Sequence, residues 1–166
     1  IIEPVFKLDK GSIFYINLSS DDFKLGGSAF SQIIGSIGNN TPTINDSKYF
    51  VNVFETIQKM IKNDLISAGH DIGSGGFITS LMEMCFSTKN IGANIDLSSL
   101  NENDTVKILF SENCGIIIQG KDDKIEKELI NNGIAAHKIG KVIKENKLKI
   151  KNQENEFLFD LEKYRD

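Results

Sequence analysis

The sequence predicts an α+β domain, a mixed β-sheet with helices packed on it, and three observations carry that reading. Short apolar runs rich in β-forming residues recur along the chain, such as SIFYINL at 12–18 and GIIIQ at 115–119. Segments with apolar residues at helical spacing lie between them, the clearest at 47–64. The chain has 166 residues, 40% hydrophobic and 25% charged, enough for one domain with a sizeable core and no need of staples.

Taken in order, residues 12–18 read as a strand and 21–27 as a turn-rich loop. Ser28 then caps a helix carrying Phe30, Ile33, Ile34 and Ile37, and Gly38 ends it. A loop at 41–47, with Pro42 and Asp46, leads into the helix at 47–64. That helix places Phe50, Val53, Phe54, Ile57 and Ile61 on one stripe, opposite Glu55, Lys59 and Lys62. Residues 65–71 make a short strand, Gly73-Ser74-Gly75-Gly76 a turn, and 77–86 a second apolar helix. A strand at 92–97 precedes a helix at 101–110 capped by Asn101 or Asn103, and 115–119 is a buried strand. The helix at 122–132 has an acidic first turn and Gly133 just past its end. Residues 137–143, 148–150 and 156–161 finish as short strands or turns. No internal repeat or low-complexity tract interrupts the pattern.

Composition excludes several functions. A formal charge of −4 and a pI near 5.3 give no broad attraction to nucleic acid or to anionic membranes. Arg165 is the sole arginine, so bidentate reading of bases is nearly unavailable. Cys85 and Cys114 have no CxxC spacing and only His70 and His137 for company, which is neither a zinc pattern nor a disulfide framework. With no signal peptide and no apolar run of membrane-spanning length, a cytoplasmic location is expected. The opening Ile1-Ile2-Glu3-Pro4 lacks an initiator Met and the chain stops at Tyr164-Arg165-Asp166, so a piece of a longer polypeptide is expected.

The densest unusual stretch is His70-Asp71-Ile72-Gly73-Ser74-Gly75-Gly76. A carboxylate leaves a strand end, and a glycine-rich turn then opens a helix. Backbone N–H groups at such a helix start suit phosphate oxygens, and Asp71 can hold a Mg²⁺ that bridges them. A plainer reading stands beside this one, in which the stretch is a sharp strand-to-helix connection and Asp71 accepts backbone hydrogen bonds. It is neither a Walker A loop nor a dinucleotide fingerprint. Leu25-Gly26-Gly27-Ser28-Ala29 also opens a helix, and a flexible loop with an N-cap describes it better than an anion site. Glu83 and Glu112 each sit among apolar residues, either at a polar edge or partly buried and paired. Cys114 reads as a small packed residue at a strand entry.

These residues resemble a known family. The series Leu25-Gly-Gly-Ser-Ala29, His70-Asp-Ile-Gly-Ser-Gly-Gly76, Glu83-Met84, Leu109-Phe-Ser-Glu112 and Gly115-Ile-Ile-Ile118 is similar to the last part of phosphoribosylformylglycinamidine synthase of the large type. That family reads LGGSA, HDxSDGG, a stretch ending in Glu-Met, then LFxE and a glycine with an apolar strand. The resemblance implies a fold like the C-terminal domain of aminoimidazole ribonucleotide (AIR) synthetase, partly ferredoxin-like, spanning residues 1–166 as one domain of a multidomain chain. It implies a reaction in which ATP activates the amide oxygen of formylglycinamide ribonucleotide as an iminophosphate. Ammonia from glutamine then displaces phosphate to give the amidine. The implied cofactors are ATP or ADP and Mg²⁺, with Asp71 the metal ligand and Gly73, Ser74, Gly75 and Gly76 around the phosphates. The implied partners are the other AIR-synthase-like and glutaminase domains of the same enzyme, with no nucleic acid and no membrane. No catalytic residue falls in this stretch, so the chain alone is expected to be inactive. The sequence departs from the motif where Gly73 replaces its serine and Ser74 its second aspartate. Two alternatives stay open: another AIR-synthase-like enzyme, such as a thiamine monophosphate kinase or selenophosphate synthetase, and a non-catalytic scaffold.

Overall fold

A computed structural model describes residues 2–165. The strands are β1 (Ser12–Asn17), β2 (Ile66–Asp71), β3 (Gly92–Asp96), β4 (Gly115–Gly120), β5 (His137–Ile143), β6 (Lys147–Asn152) and β7 (Asn155–Asp160). The helices are α1 (Ala29–Ile33), α2 (Ser47–Lys62), α3 (Gly76–Phe86), α4 (Thr105–Phe110) and α5 (Asp122–Asn131), with short 3-10 turns at Ser98–Leu100 and Leu161–Tyr164. The strands form one sheet in the order β2-β4-β1-β5-β3-β6-β7. All neighbours are antiparallel except β3 and β6.

The order β2-β4-β1-β5 is two interlocked split β-α-β units, the ferredoxin-like arrangement. β1 and β2, joined through α2, flank β4, while β4 and β5, joined through α5, flank β1. Both crossover helices lie on one face. Val53, Ile57 and Met60 of α2 and Ile125 and Leu129 of α5 pack there on Phe14, Ile16 and Ile118. Between β2 and β4 in sequence the chain inserts α3, β3 and α4; β3 joins the sheet beside β5, and α3 and α4 cover the other face, where Phe77, Leu81, Met84 and Ile108 meet Ile13, Tyr15 and Ile117. With helices on both sides, β1 is buried along nearly its whole length.

Local chemistry explains most helix ends. Asp46 caps α2 by accepting the amides of Lys48 and Tyr49. Gly133, at φ +67°, ends α5, with Ile134 N–H bonded back to the Leu129 carbonyl. Three sequence expectations need correction. α1 stops at Ile33, because Gly35 takes φ +69° and the amides of Gly35 and Ser36 turn back onto Gln32 and Ser31. Ile33, Ile34 and Ile37 are therefore exposed instead of forming a core stripe, and Phe54 of α2 is exposed as well. α4 begins at Thr105 with Asp104 as its cap, while Asn101 ends the preceding 3-10 turn in a left-handed conformation.

Candidate functional site

The segments 25–29, 70–76 and 109–112 lie apart in the chain and meet where β2 leads into α3. There, β2 is continued by one further bond, Ile72 N–H to the Gly115 carbonyl at 2.9 Å. The Asp71 carbonyl accepts from Ser80 Oγ at 3.0 Å and faces His70 Nδ1 at 2.6 Å. The backbone of Asp71 is thus held from two sides. Its carboxylate is not: the side chain is 90% exposed, and the nearest basic atom is His70 Nδ1, 3.5 Å away. The fastening that the plainer sequence reading gave to the Asp71 side chain is done by its carbonyl.

His70 Nε2 faces Glu83 Oε2 at 3.1 Å. Glu83 projects from the outward edge of α3, so the imidazole bridges strand and helix. The carboxylate queried in the sequence sits at a polar edge and is also paired.

The glycine turn divides into two parts. Gly75 and Gly76 take φ +88° and +76° and wrap the chain into α3. A Cβ on Gly76 would lie 2.8 Å from the Phe110 carbonyl carbon and the Ser111 oxygen, so this position needs glycine twice over. Their amides are committed inside the protein: Gly75 N–H donates to Glu112 Oε1 at 2.8 Å, and Gly76 N–H to the Gly73 carbonyl at 3.1 Å. Gly73 and Ser74 are exposed, and their amides have no acceptor among the described residues. A Cβ on Gly73 would meet nothing within 4 Å, and its φ is not positive, so the fold does not require glycine there.

Glu112 is the contact that the sequence left undefined. The oxygen that accepts Gly75 N–H also accepts Ala29 N–H at 2.9 Å, so one carboxylate joins the starts of α1 and α3. Phe30 stacks on Phe110 beside it, with ring centroids 4.8 Å apart. The second glycine turn is an internal fastening, as its N-cap reading held. Gly26 and Gly27 donate to the carbonyls of Asn40 and Ile37, and Ser28 caps α1. Asn113, 1% exposed, holds the loop before that turn by donating to the Asp22 carbonyl and accepting from Lys24 N–H. No spacing rule connects Asn113 to residues some ninety positions away.

The electrostatics give no thiol chemistry. Burial pushes the Cys114 thiol up, and the Asp71 carboxylate adds to the shift. Burial pushes Cys85 up to about 12, with only partial relief from Arg165. Both are poor nucleophiles at neutral pH. Among the described residues no cluster of three or more His, Cys, Asp or Glu can hold a metal by itself. An apolar crevice of about 350 Å³, lined by Ile57, Ile61, Ile66 and Ile116, borders His70 and Asp71. A larger concavity of about 930 Å³ lies away from the motifs, on the outer strands between Lys141, Lys151 and Phe157.

Residues 16–152 match the family model described as AIR synthase related protein, C-terminal domain, and the chain belongs to that family. Relatives in sequence are named phosphoribosylformylglycinamidine synthase. A probable one, chloroplastic/mitochondrial, from Arabidopsis thaliana is 40% identical over 120 residues, 71% of this chain and 8% of the relative. A probable one from Caenorhabditis elegans is 32% identical over 155 residues, 85% of this chain and 12% of the relative. One from Dictyostelium discoideum is 38% identical over 128 residues, 72% of this chain and 9% of the relative. The chain therefore spans about a tenth of the length of these relatives. In fold it is similar to T. maritima PurL complexed with ATP, at a TM-score of 0.74 and 15% identity, covering 100% of this chain and 27% of that one. Hydrogenase maturation protein HypE is a more distant match, at a TM-score of 0.56 and 14% identity, covering 90% and 52%. The mixed sheet with helices on it is thus the AIR-synthase-type fold expected from the sequence. Among the described residues, no helix is long and apolar enough to cross a membrane.

Proposed function

We propose that this chain is the nucleotide-binding C-terminal AIR-synthase-like domain of a phosphoribosylformylglycinamidine synthase. That enzyme converts formylglycinamide ribonucleotide, ATP and glutamine to the amidine, ADP, phosphate and glutamate. The observation that carries the reading is the exposed Asp71 carboxylate at a strand end, beside the two uncommitted amides of Gly73 and Ser74. The named relatives and the solved PurL structures with ATP, ADP and formylglycinamide ribonucleotide (FGAR) support it.

The residues present fit a Mg²⁺–nucleotide. Mg²⁺ keeps several waters and is bound through one or two carboxylates plus substrate phosphates, so a single free carboxylate suffices without a protein cage. Asp71 would hold the metal, which neutralises phosphate charge when bound. The amides of Gly73 and Ser74 would donate to phosphate oxygens, while Gly75 and Gly76 shape the turn that presents them. Ser74 is exposed beside these amides, and its hydroxyl adds a donor. Other AIR-synthase-like and glutaminase domains of the same polypeptide would supply the remaining substrate contacts and the ammonia.

Asp71→Asn tests the reading, because it keeps shape and hydrogen bonding while removing charge. In the full-length enzyme, nucleotide retention in the presence of Mg²⁺ should fall about tenfold or more, at nearly unchanged thermal stability. Equal retention and an equal Mg²⁺ effect in both proteins would show that Asp71 is no ligand and would favour a scaffold role for the domain.

A further inference from the structure

We infer that Glu112 is a positioning residue for the Asp71 turn. Its single carboxylate locks the α1 and α3 glycine turns together and thereby fixes the direction of the Gly73 and Ser74 amides. What those amides bind rests on the function proposed above; the lock itself rests on geometry alone. Glu112 Oε1 accepts Gly75 N–H at 2.8 Å and Ala29 N–H at 2.9 Å. Each donor stands at a helix start, where peptide N–H groups lack helical partners and attract negative charge. α3 has no side-chain cap of its own, because its N-cap is Gly75. Glu112 supplies from a distance what a serine or aspartate would supply locally.

The turn is fastened at both ends and closed by the Gly76 N–H to Gly73 carbonyl bond, and only its two middle amides are uncommitted. Upstream, Ile72 N–H binds the Gly115 carbonyl and Ser80 Oγ binds the Asp71 carbonyl. Downstream, Gly75 is held by Glu112, and Gly76 is wedged against the backbone of Phe110 and Ser111. Between these anchors Gly73 and Ser74 are exposed and carry no internal amide bond. Gly73 makes that segment conformationally permissive, so its orientation depends on the anchors. Loss of the Glu112 carboxylate frees the downstream anchor and uncouples it from α1. Glu112→Gln keeps an acceptor oxygen in place, whereas Glu112→Ala removes it and Glu112→Asp, one methylene shorter, does not reach both donors.

Two measurements on this chain, both by ¹H–¹⁵N NMR, test the inference. Amide exchange at Ala29 and Gly75 should accelerate together by roughly tenfold or more in Glu112→Ala and return toward wild type in Glu112→Gln. Should Glu112→Ala fail to fold, Glu112→Asp carries the same test. Unchanged exchange at either amide, or acceleration at one alone, overturns the lock. Titration with MgADP then reads positioning, which a merely structural role would not move at equal melting temperature. The response of the Gly73 and Ser74 amides should weaken about tenfold in Glu112→Ala, and Glu112→Gln should recover most of it, on the scale seen for groups that orient a metal site from outside it. A wild-type response that Glu112→Ala leaves unchanged overturns the positioning role. If wild type and Asp71→Asn are both silent to MgADP in this chain, the nucleotide reading is judged by Asp71→Asn in the full-length enzyme, and Glu112 by amide exchange.

Discussion

Gly73 and Gly76 stand three positions apart in one turn, yet the structure gives them opposite tolerance. At Gly76 a side chain must adopt φ +76° and push into the end of α4, which costs roughly 2–5 kcal/mol. At Gly73 an added Cβ meets nothing within 4 Å, so Gly73→Ser should change stability by no more than about 0.5 kcal/mol. Urea denaturation of Gly76→Ala and Gly73→Ser should show a large fall in midpoint for the first and almost none for the second. Equal midpoints would remove the close approach of α3 to α4 from this account. The sequence marks the turn through its glycines, but it does not separate the two kinds of glycine. That distinction depends on Phe110 and Ser111, which lie more than thirty residues further on. Glu112 is hidden for the same reason, since its partners are 83 and 37 positions away.

At the scale of elements, α1 and α2 show where periodicity is a good guide and where it is not. In α2 the stripe of Val53 and Ile57 enters the core as its spacing implies, with Ile57 only 4% exposed. Ile57→Asp buries an unpaired charge and should cost about 3–5 kcal/mol, enough to unfold a marginal domain. Ile33 has the same helical spacing to its neighbours but is 85% exposed, so Ile33→Asp should melt within a degree or two of wild type. Thermal melts of the two variants check both placements, and the reverse order would exchange them. The sequence places the stop at Gly38, but Gly35 ends α1 earlier and outweighs a periodic run of isoleucines, because its left-handed conformation ends the hydrogen-bond ladder.

The first turn of α5 carries a pH-sensitive fastening. Asp122 accepts from Ser12 N–H and Oγ at 2.8 Å and from Lys138 Nζ at 2.7 Å, which ties α5 to β1 and β5. Partial burial pushes the Asp122 carboxyl up, but the hydrogen bonds from Lys138 and Ser12 outweigh it and hold it below its ordinary value. A carboxylate depressed in the folded state adds stability above its unfolded pKa, and the contribution is lost as pH falls through the folded value. Asp122→Asn should therefore lower stability at neutral pH by on the order of 1 kcal/mol and flatten the loss of stability below about pH 4. Melting temperatures from pH 3 to pH 7 measure this; parallel curves for variant and wild type would rule it out.

At the scale of the molecule, the core is closed while parts of the surface remain apolar. Ile33, Ile34 and Ile37 are exposed within five residues of one another, and Val51 and Phe54 are exposed on α2. Apolar residues grouped this way on a domain surface favour association. The chain should self-associate as its concentration rises, and Ile33→Ser with Ile37→Ser should reduce the effect. Sedimentation velocity across a hundredfold concentration range is the check, and a single monomer boundary throughout would refute it. The chain spans about a tenth of the length of its named relatives.

The sequence by itself determined the class of fold, the order of nearly all the strands and helices, and the family. These are local quantities, set by the period of apolar residues, by caps such as Ser28 and Gly133, and by short motifs whose order is preserved. It also pointed to Asp71, because a carboxylate leaving a strand for a glycine turn is legible within seven residues. Only the tertiary structure decided which amides of that turn are free, which glycines are obligatory, and that Glu112 joins two turns. It also showed that the isoleucines at the end of α1 and just beyond it face outward. Each of these depends on contacts between segments tens of residues apart. Hydrogen-bond satisfaction and steric fit are properties of such juxtapositions, and they leave no periodic signal along the chain.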